Sequence, residues 1–188
     1  MYQIYTYITQ VLAWLGTTDE EAELAIDLIS EAGKPDSAGR AFIDLLSSAS
    51  MEQYQAVNCF LNRSYWHWVW IIQEIALPPS IMVHYGHRSL EWNLIATFLS
   101  RLAFISMWDR NPLGDNWSGF NFKDNLPAKV SQIRDVWQGA LYHGGKSLIK
   151  VIGKTLGSVC LDPRDKIYGL LALTDKVGRS LEVDYSKT

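Results

Sequence analysis

Gln73 and Glu74 interrupt an apolar run, RSYWHWVWIIQEIAL, that extends from Arg63 to Leu77. A carboxylate on a mostly buried helix needs a partner or a shifted pKa, because desolvating an unpaired charge costs several kcal/mol or more. Glu74 therefore has two readings. It closes a structural ion pair or caps a neighbouring element, or it lines a ligand pocket, where perturbed groups cluster. His67, seven residues earlier, shares a narrow helical stripe with Ile71 and Glu74. Arg164, at the mouth of a later apolar helix, is the candidate counter-charge for Glu74.

Other groups offer less. His84 and His87 flank a glycine turn that leaves their directions unspecified, and no third ligand stands nearby, so no metal site is predicted. His143-Gly144-Gly145-Lys146-Ser147 resembles a phosphate loop, but Ala140 stands where that loop requires glycine and a helix rather than a strand precedes it. Its glycines read as a helix end, with Ser147 starting the next helix. Cys59 and Cys160 are isolated, which fits free thiols in a reducing compartment.

The elements that must position these residues follow from periodicity. Ser64 to Leu77 is free of Gly and Pro and reads as one helix, stopped by Pro78-Pro79. One stripe carries Trp66, Val69, Trp70, Gln73 and Leu77, and a second carries Tyr65, Trp68, Ile72 and Ile75, so the helix should be buried over most of its circumference. Ser80–His84 reads as a strand, Tyr85–Arg88 as a turn and Ser89–Glu91 as a returning strand. A long helix then runs from Trp92 to Met107.

Upstream, Ile4, Tyr5 and Ile8 look like a helix end, and Val11–Gly16 reads as a buried strand. That strand pairs with the later hairpin and with Leu181–Val183, or with strands outside this sequence. Thr18 with Glu21 and Ser50 with Gln53 are capping boxes, and each opens a helix; the first buries Ala22, Ala25, Ile26 and Ile29. A short helix spans Ala38–Ser48. Trp108–Pro127 reads as a long loop with aromatic anchors, and Ala128–Leu141 as a helix. Asp162-Pro163-Arg164-Asp165 forms a helix start, with Asp162 as N-cap and Ile167, Leu170, Leu171 and Thr174 facing inward.

A chain of 188 residues suffices for one domain. A net charge of −3 argues against a nucleic-acid platform. No apolar run reaches the roughly 18–20 residues of a membrane span. MYQIYTYITQ lacks the basic start of a signal peptide, so the cytoplasm is the expected location. The fold class expected is α/β and helix-rich, with a small, partial sheet packed by several helices.

Five segments, in order, resemble the later blocks of the heterokaryon incompatibility (HET) domain of filamentous fungi: IYTYITQVLAWLG, RSYWHWVWIIQEIAL, MVHYGHRSLEW, DPRDKIYGLLALT and VDYSKT. The family pattern Arg-Pro-Trp-Phe-x-Arg-x-Trp-x-x-Gln-Glu is matched by Arg63, Trp70, Gln73 and Glu74. Ser64 replaces its proline, Tyr65 and Trp66 its Trp-Phe pair, and Trp68 its second arginine. Gly86 and Trp92 belong to the third block. Asp162, Pro163, Arg164, Asp165 and Tyr168 match the Asp-Pro-Arg-Asp-x-x-Tyr block without a gap. The family's front blocks, Ala-Leu-Ser-Tyr-x-Trp-Gly and Trp-x-Asp-x-x-Cys-Ile-Asn-Gln, have no counterpart, so the resemblance makes residues 1–188 a single partial HET domain.

The resemblance implies a role in fungal non-self recognition, or allorecognition, and in programmed cell-death signalling through protein partners or self-association. It also implies an incomplete TIR-like fold, some relatives of which cleave NAD with a glutamate. On that analogy Glu74 would be the catalytic residue, Arg63 or Arg164 would hold phosphate, and NAD would be substrate with no resident cofactor. A non-catalytic remnant or decoy is the third alternative.

Overall fold

The computed structural model describes residues 8–17, 20–106 and 147–186. In chain order the elements are β1 (Val11–Trp14), α1 (Glu20–Gly33), a 3-10 turn (Pro35–Ser37), α2 (Arg40–Ser47), α3 (Met51–Leu61), a 3-10 turn (Ser64–His67), α4 (Val69–Ala76), β2 (Ile81–Tyr85), β3 (Arg88–Glu91), α5 (Trp92–Ser106), α6 (Leu148–Thr155), α7 (Asp165–Tyr168), a 3-10 turn (Leu171–Leu173) and α8 (Lys176–Arg179). The expected helix end at Ile4 and Tyr5, the Thr18 cap, the loop Trp108–Pro127, the helix Ala128–Leu141 and the glycine turn at His143–Lys146 lie outside the described residues. The fold is helix-rich α/β with a small mixed sheet, as the periodicities predict. Two compact units divide the chain: 12–63 with 81–131, and 1–11 with 64–80 and 132–188.

The sheet, in the order β1-β2-β3, falls in the first unit from Leu12 onward, Val11 and Ser80 being counted with the second. The bonds from Val11 N–H to the Ser80 carbonyl and from Leu15 N–H to the His84 carbonyl advance in step, so β1 runs parallel to β2. β2 and β3 form an antiparallel hairpin in which Val83 faces Leu90 and Tyr85 faces Arg88. Gly86 turns that hairpin at φ 60°, a conformation open to glycine at little cost. α1 packs against α3, α5 and β3, burying Ala22, Ala25, Ile26 and Ile29 as their spacing predicts. Ser50 caps α3 by accepting from Gln53 N–H, while the Gln53 side chain accepts from Ser50 N–H. Trp92 is buried at the start of α5, followed by Ile95, Phe98, Leu99 and Leu102. β1 departs from the expected buried strand: Val11 and Ala13 are buried, whereas Leu12 and Trp14 are exposed.

The second unit carries α4 and the short C-terminal elements. The single helix expected from Ser64 to Leu77 is broken at Trp68, whose backbone is extended at φ −74° and ψ 136°. Two backbone bonds require the break: Val69 N–H donates to Val159 at 2.9 Å, and Val159 N–H donates to His67 at 2.6 Å. The aromatic run around Trp68 has only modest helix propensity and yields to this bridge. α4 itself is buried on most sides, as predicted, with Val69, Ile72 and Ala76 packed on Val151, Leu170 and Leu173. Leu181–Val183 forms no strand. Among the described residues no helix is long and apolar enough to cross a membrane.

Candidate functional site

The candidate site is built where α4 meets α7 and the segment 184–186. α4 presents Trp70, Gln73 and Glu74 from successive turns. Trp70 Nε1–H donates to Asp165 Oδ2 at 3.2 Å. Gln73 Nε2 donates to the carbonyl of Gly169. A side chain at Gly169 could not fit this approach: a Cβ there would lie 2.7 Å from the Asp165 carbonyl and 3.3 Å from Val69 Cγ1. Gln73 is only 1% exposed, and its Oε1 has no hydrogen-bond partner among the described residues. A polar atom held that way is costly, so the bond to Gly169 must be retained for the residue to be tolerated.

Asp165 is the junction. Its other oxygen, Oδ1, accepts from Tyr185 O–H at 2.6 Å. The Tyr185 ring meets Tyr168 edge-on, with centroids 5.0 Å apart. Tyr168 Oη donates to the Asp184 carbonyl at 3.1 Å and accepts from Asp184 N–H at 3.3 Å. Arg164 completes the arrangement. It forks onto Asp162, with Nη2 to Oδ2 at 2.7 Å and Nε to Oδ1 at 3.0 Å. It also donates from Nη1 to the Tyr185 carbonyl at 2.6 Å and lies over the Tyr185 ring, 5.1 Å from its centroid. Asp162 Oδ1 also accepts from Arg164 N–H, so its carboxylate caps this turn although α7 itself begins only at Asp165. Pro163 is exposed ahead of it, and its carbonyl accepts from Lys166 N–H.

Electrostatics follow this geometry. Hydrogen bonds from Arg164 hold the Asp162 carboxyl below its ordinary range, and the same contact raises the Arg164 guanidinium. Burial, followed by the hydrogen bond to Asp165, pushes the Tyr185 phenol up to about 12.

Glu74 is half-buried and its Oε2 accepts from Tyr65 O–H at 2.9 Å. Arg164, expected as its counter-charge, makes the contacts to Asp162 and Tyr185 described above. Arg63 belongs to the other unit, where its guanidinium lies 4.6 Å from the centroid of the buried Tyr85 ring. Gly86 and Trp92 are also in that unit, in the hairpin turn and at the helix start.

Trp70, Gln73, Asp162, Arg164, Asp165 and Tyr168 are therefore brought together from two segments far apart in the sequence. Ile167, expected to face inward, is 41% exposed. Four-residue α7 cannot sustain the long periodic face predicted from Asp162 onward. Sequence reasoning gives Tyr185 and Gly169 no site role, and gives Tyr65 only a place on an apolar stripe and at the Trp-Phe pair of the resembling pattern. The signal for Tyr185 was its place in the VDYSKT block; for Gly169 it was a glycine inside an otherwise helical pattern. Among the described residues no group of three His, Cys, Asp or Glu gathers to hold a metal. His87 is exposed beside the hairpin turn, Cys59 is exposed and Cys160 is half-buried. Family models, curated proteins and solved structures offer no match to this chain.

Proposed function

We propose that this chain is a HET-type domain of fungal non-self recognition, acting in the cytoplasm as a cell-death signalling module through contacts with protein partners or itself. The observation that carries the proposal is the meeting of three of the resembling blocks in one bonded arrangement. Trp70 and Gln73 from the second block reach Asp165 and Gly169 from the fourth, and Tyr185 from the last reaches Asp165. Blocks that recur together in a family are expected to meet where the fold needs them, and this meeting supports reading them as one module. The polar groups are directed at one another, which favours a role in shaping a surface over a role in turnover.

Induced expression in a filamentous fungus tests the proposal. Growth arrest and cell death are expected for the unmodified chain, and for Glu74→Gln as well. Stable, well-folded protein that leaves the cells growing normally would overturn it.

The alternative, a TIR-like NAD-cleaving enzyme, draws on the half-buried position of Glu74 and its bond to Tyr65. Nicotinamide release from NAD by purified protein, lost in Glu74→Gln, is the outcome that would favour the enzyme. In that case death in the fungus would also require Glu74.

A further inference from the structure

The two edges of the sheet are chemically different. β3, at one edge, carries exposed Glu91 and also Arg88, which is paired with Asp27 of α1. Charges on an edge discourage a further strand. β1, at the other edge, reads VLAW, with no charge and no proline. Val11 and Leu15 donate their N–H groups towards β2, so the alternation of a ladder turns the N–H and C=O groups of Leu12 and Trp14 away from it. The side chains of Leu12 and Trp14 are 65% and 56% exposed. Among the described residues no strand lies beyond β1.

We infer that β1 is a self-association edge, which pairs antiparallel with β1 of a second copy. Charge and symmetry select that occupant. Pairing β1 with a second copy's β3 would set the exposed face of Leu12 and Trp14 beside that of Ser89 and the charged Glu91, and would leave an unpaired edge at each end. Pairing β1 with itself about a two-fold axis through Ala13 places Leu12 opposite Trp14 of the second copy, and Trp14 opposite Leu12. Each of these pairs exchanges both of its N–H···O bonds, no charge opposes another, and the assembly closes at two copies. This inference stands independently of the signalling reading.

Sedimentation velocity over a concentration series of the whole chain tests it. The mass should rise from one copy to two, and the amides of Leu12 and Trp14 should gain protection from hydrogen exchange over the same range. Leu12→Pro removes an outward N–H while leaving the ladder to β2 intact, so it should weaken association about tenfold or more with unchanged circular dichroism. Trp14→Lys, at an exposed side chain, should do the same by setting charge into the seam, and it carries the test if Leu12→Pro fails to fold. A chain that stays monomeric at every concentration overturns the inference. So does a dimer unaffected by a folded variant.

Discussion

The sheet unit and the unit around α4 solve the same problem with different means. In the sheet unit, α1, α3 and α5 bring long apolar faces together, and Phe42, Phe60, Phe98 and Tyr85 are fully buried among them. Its polar contacts serve mainly to end elements. Arg101 is the clearest case, donating to the carbonyls of Ala32, Lys34 and Ser37 where α1 gives way to the turn after it. The unit around α4 has a smaller apolar cluster and helices of only four residues at α7 and α8. Helices that short do not form alone. There Asp165, Arg164, Tyr168 and Tyr185 supply the connections that packing supplies in the sheet unit. The comparison teaches that a cluster of polar side chains can hold elements too short to hold themselves.

Substitutions can break this contrast, and the largest effect belongs to the apolar side. Phe98→Ala should destabilise the sheet unit by about 3–5 kcal/mol, read in denaturant unfolding, because Phe98 is fully buried and meets Phe42 edge-on. Gly169→Ala should cost roughly 1–3 kcal/mol by forcing α4 and α7 apart, and hydrogen exchange should show the loss in the α4 unit first. A polar deletion should be smaller. Trp70→Phe, which keeps one aromatic ring but loses the second ring of the indole and the bond to Asp165, should cost about 1–2 kcal/mol.

A titration sharpens the contrast further. The Tyr185 phenol is raised in the folded protein, so its contribution is complete below pH ~10, the ordinary tyrosine range, and is lost as pH rises through about 12. Asp162 acts in the opposite sense: its carboxyl is lowered, so its contribution holds above the ordinary carboxylate range and fades as pH falls. Tyrosine ring-carbon signals followed by NMR should include a late-titrating phenol that disappears in Tyr185→Phe.

Much of the architecture was legible beforehand because its signals are local. The capping box at Ser50, the glycine turn at Gly86 and the periodic faces of α1 and α5 each depend on a few neighbouring residues. The break at Trp68 was not legible, since it is made by a bridge to Val159, ninety-one positions away by residue number. For the same reason the exposure of Leu12 and Trp14 was missed: an apolar run of four does not tell which of its faces a helix will cover. At the site, Trp70, Arg164 and Asp165 stand out in two separate segments, but the bond that joins Trp70 to Asp165 spans ninety-five positions and is not legible from either. The fork of Arg164 onto Asp162 is local, two positions apart, yet the sequence shows Asp162 only as a cap and not as a side-chain partner.

The account turns on Asp165 joining α4 to the segment that carries Tyr185. A double-mutant cycle on Trp70→Phe and Tyr185→Phe, measured by denaturant unfolding, tests that junction directly. The two losses should be non-additive by about 0.5–3 kcal/mol, because both bonds end on one carboxylate. Losses that add to within about 0.3–0.5 kcal/mol would contradict it.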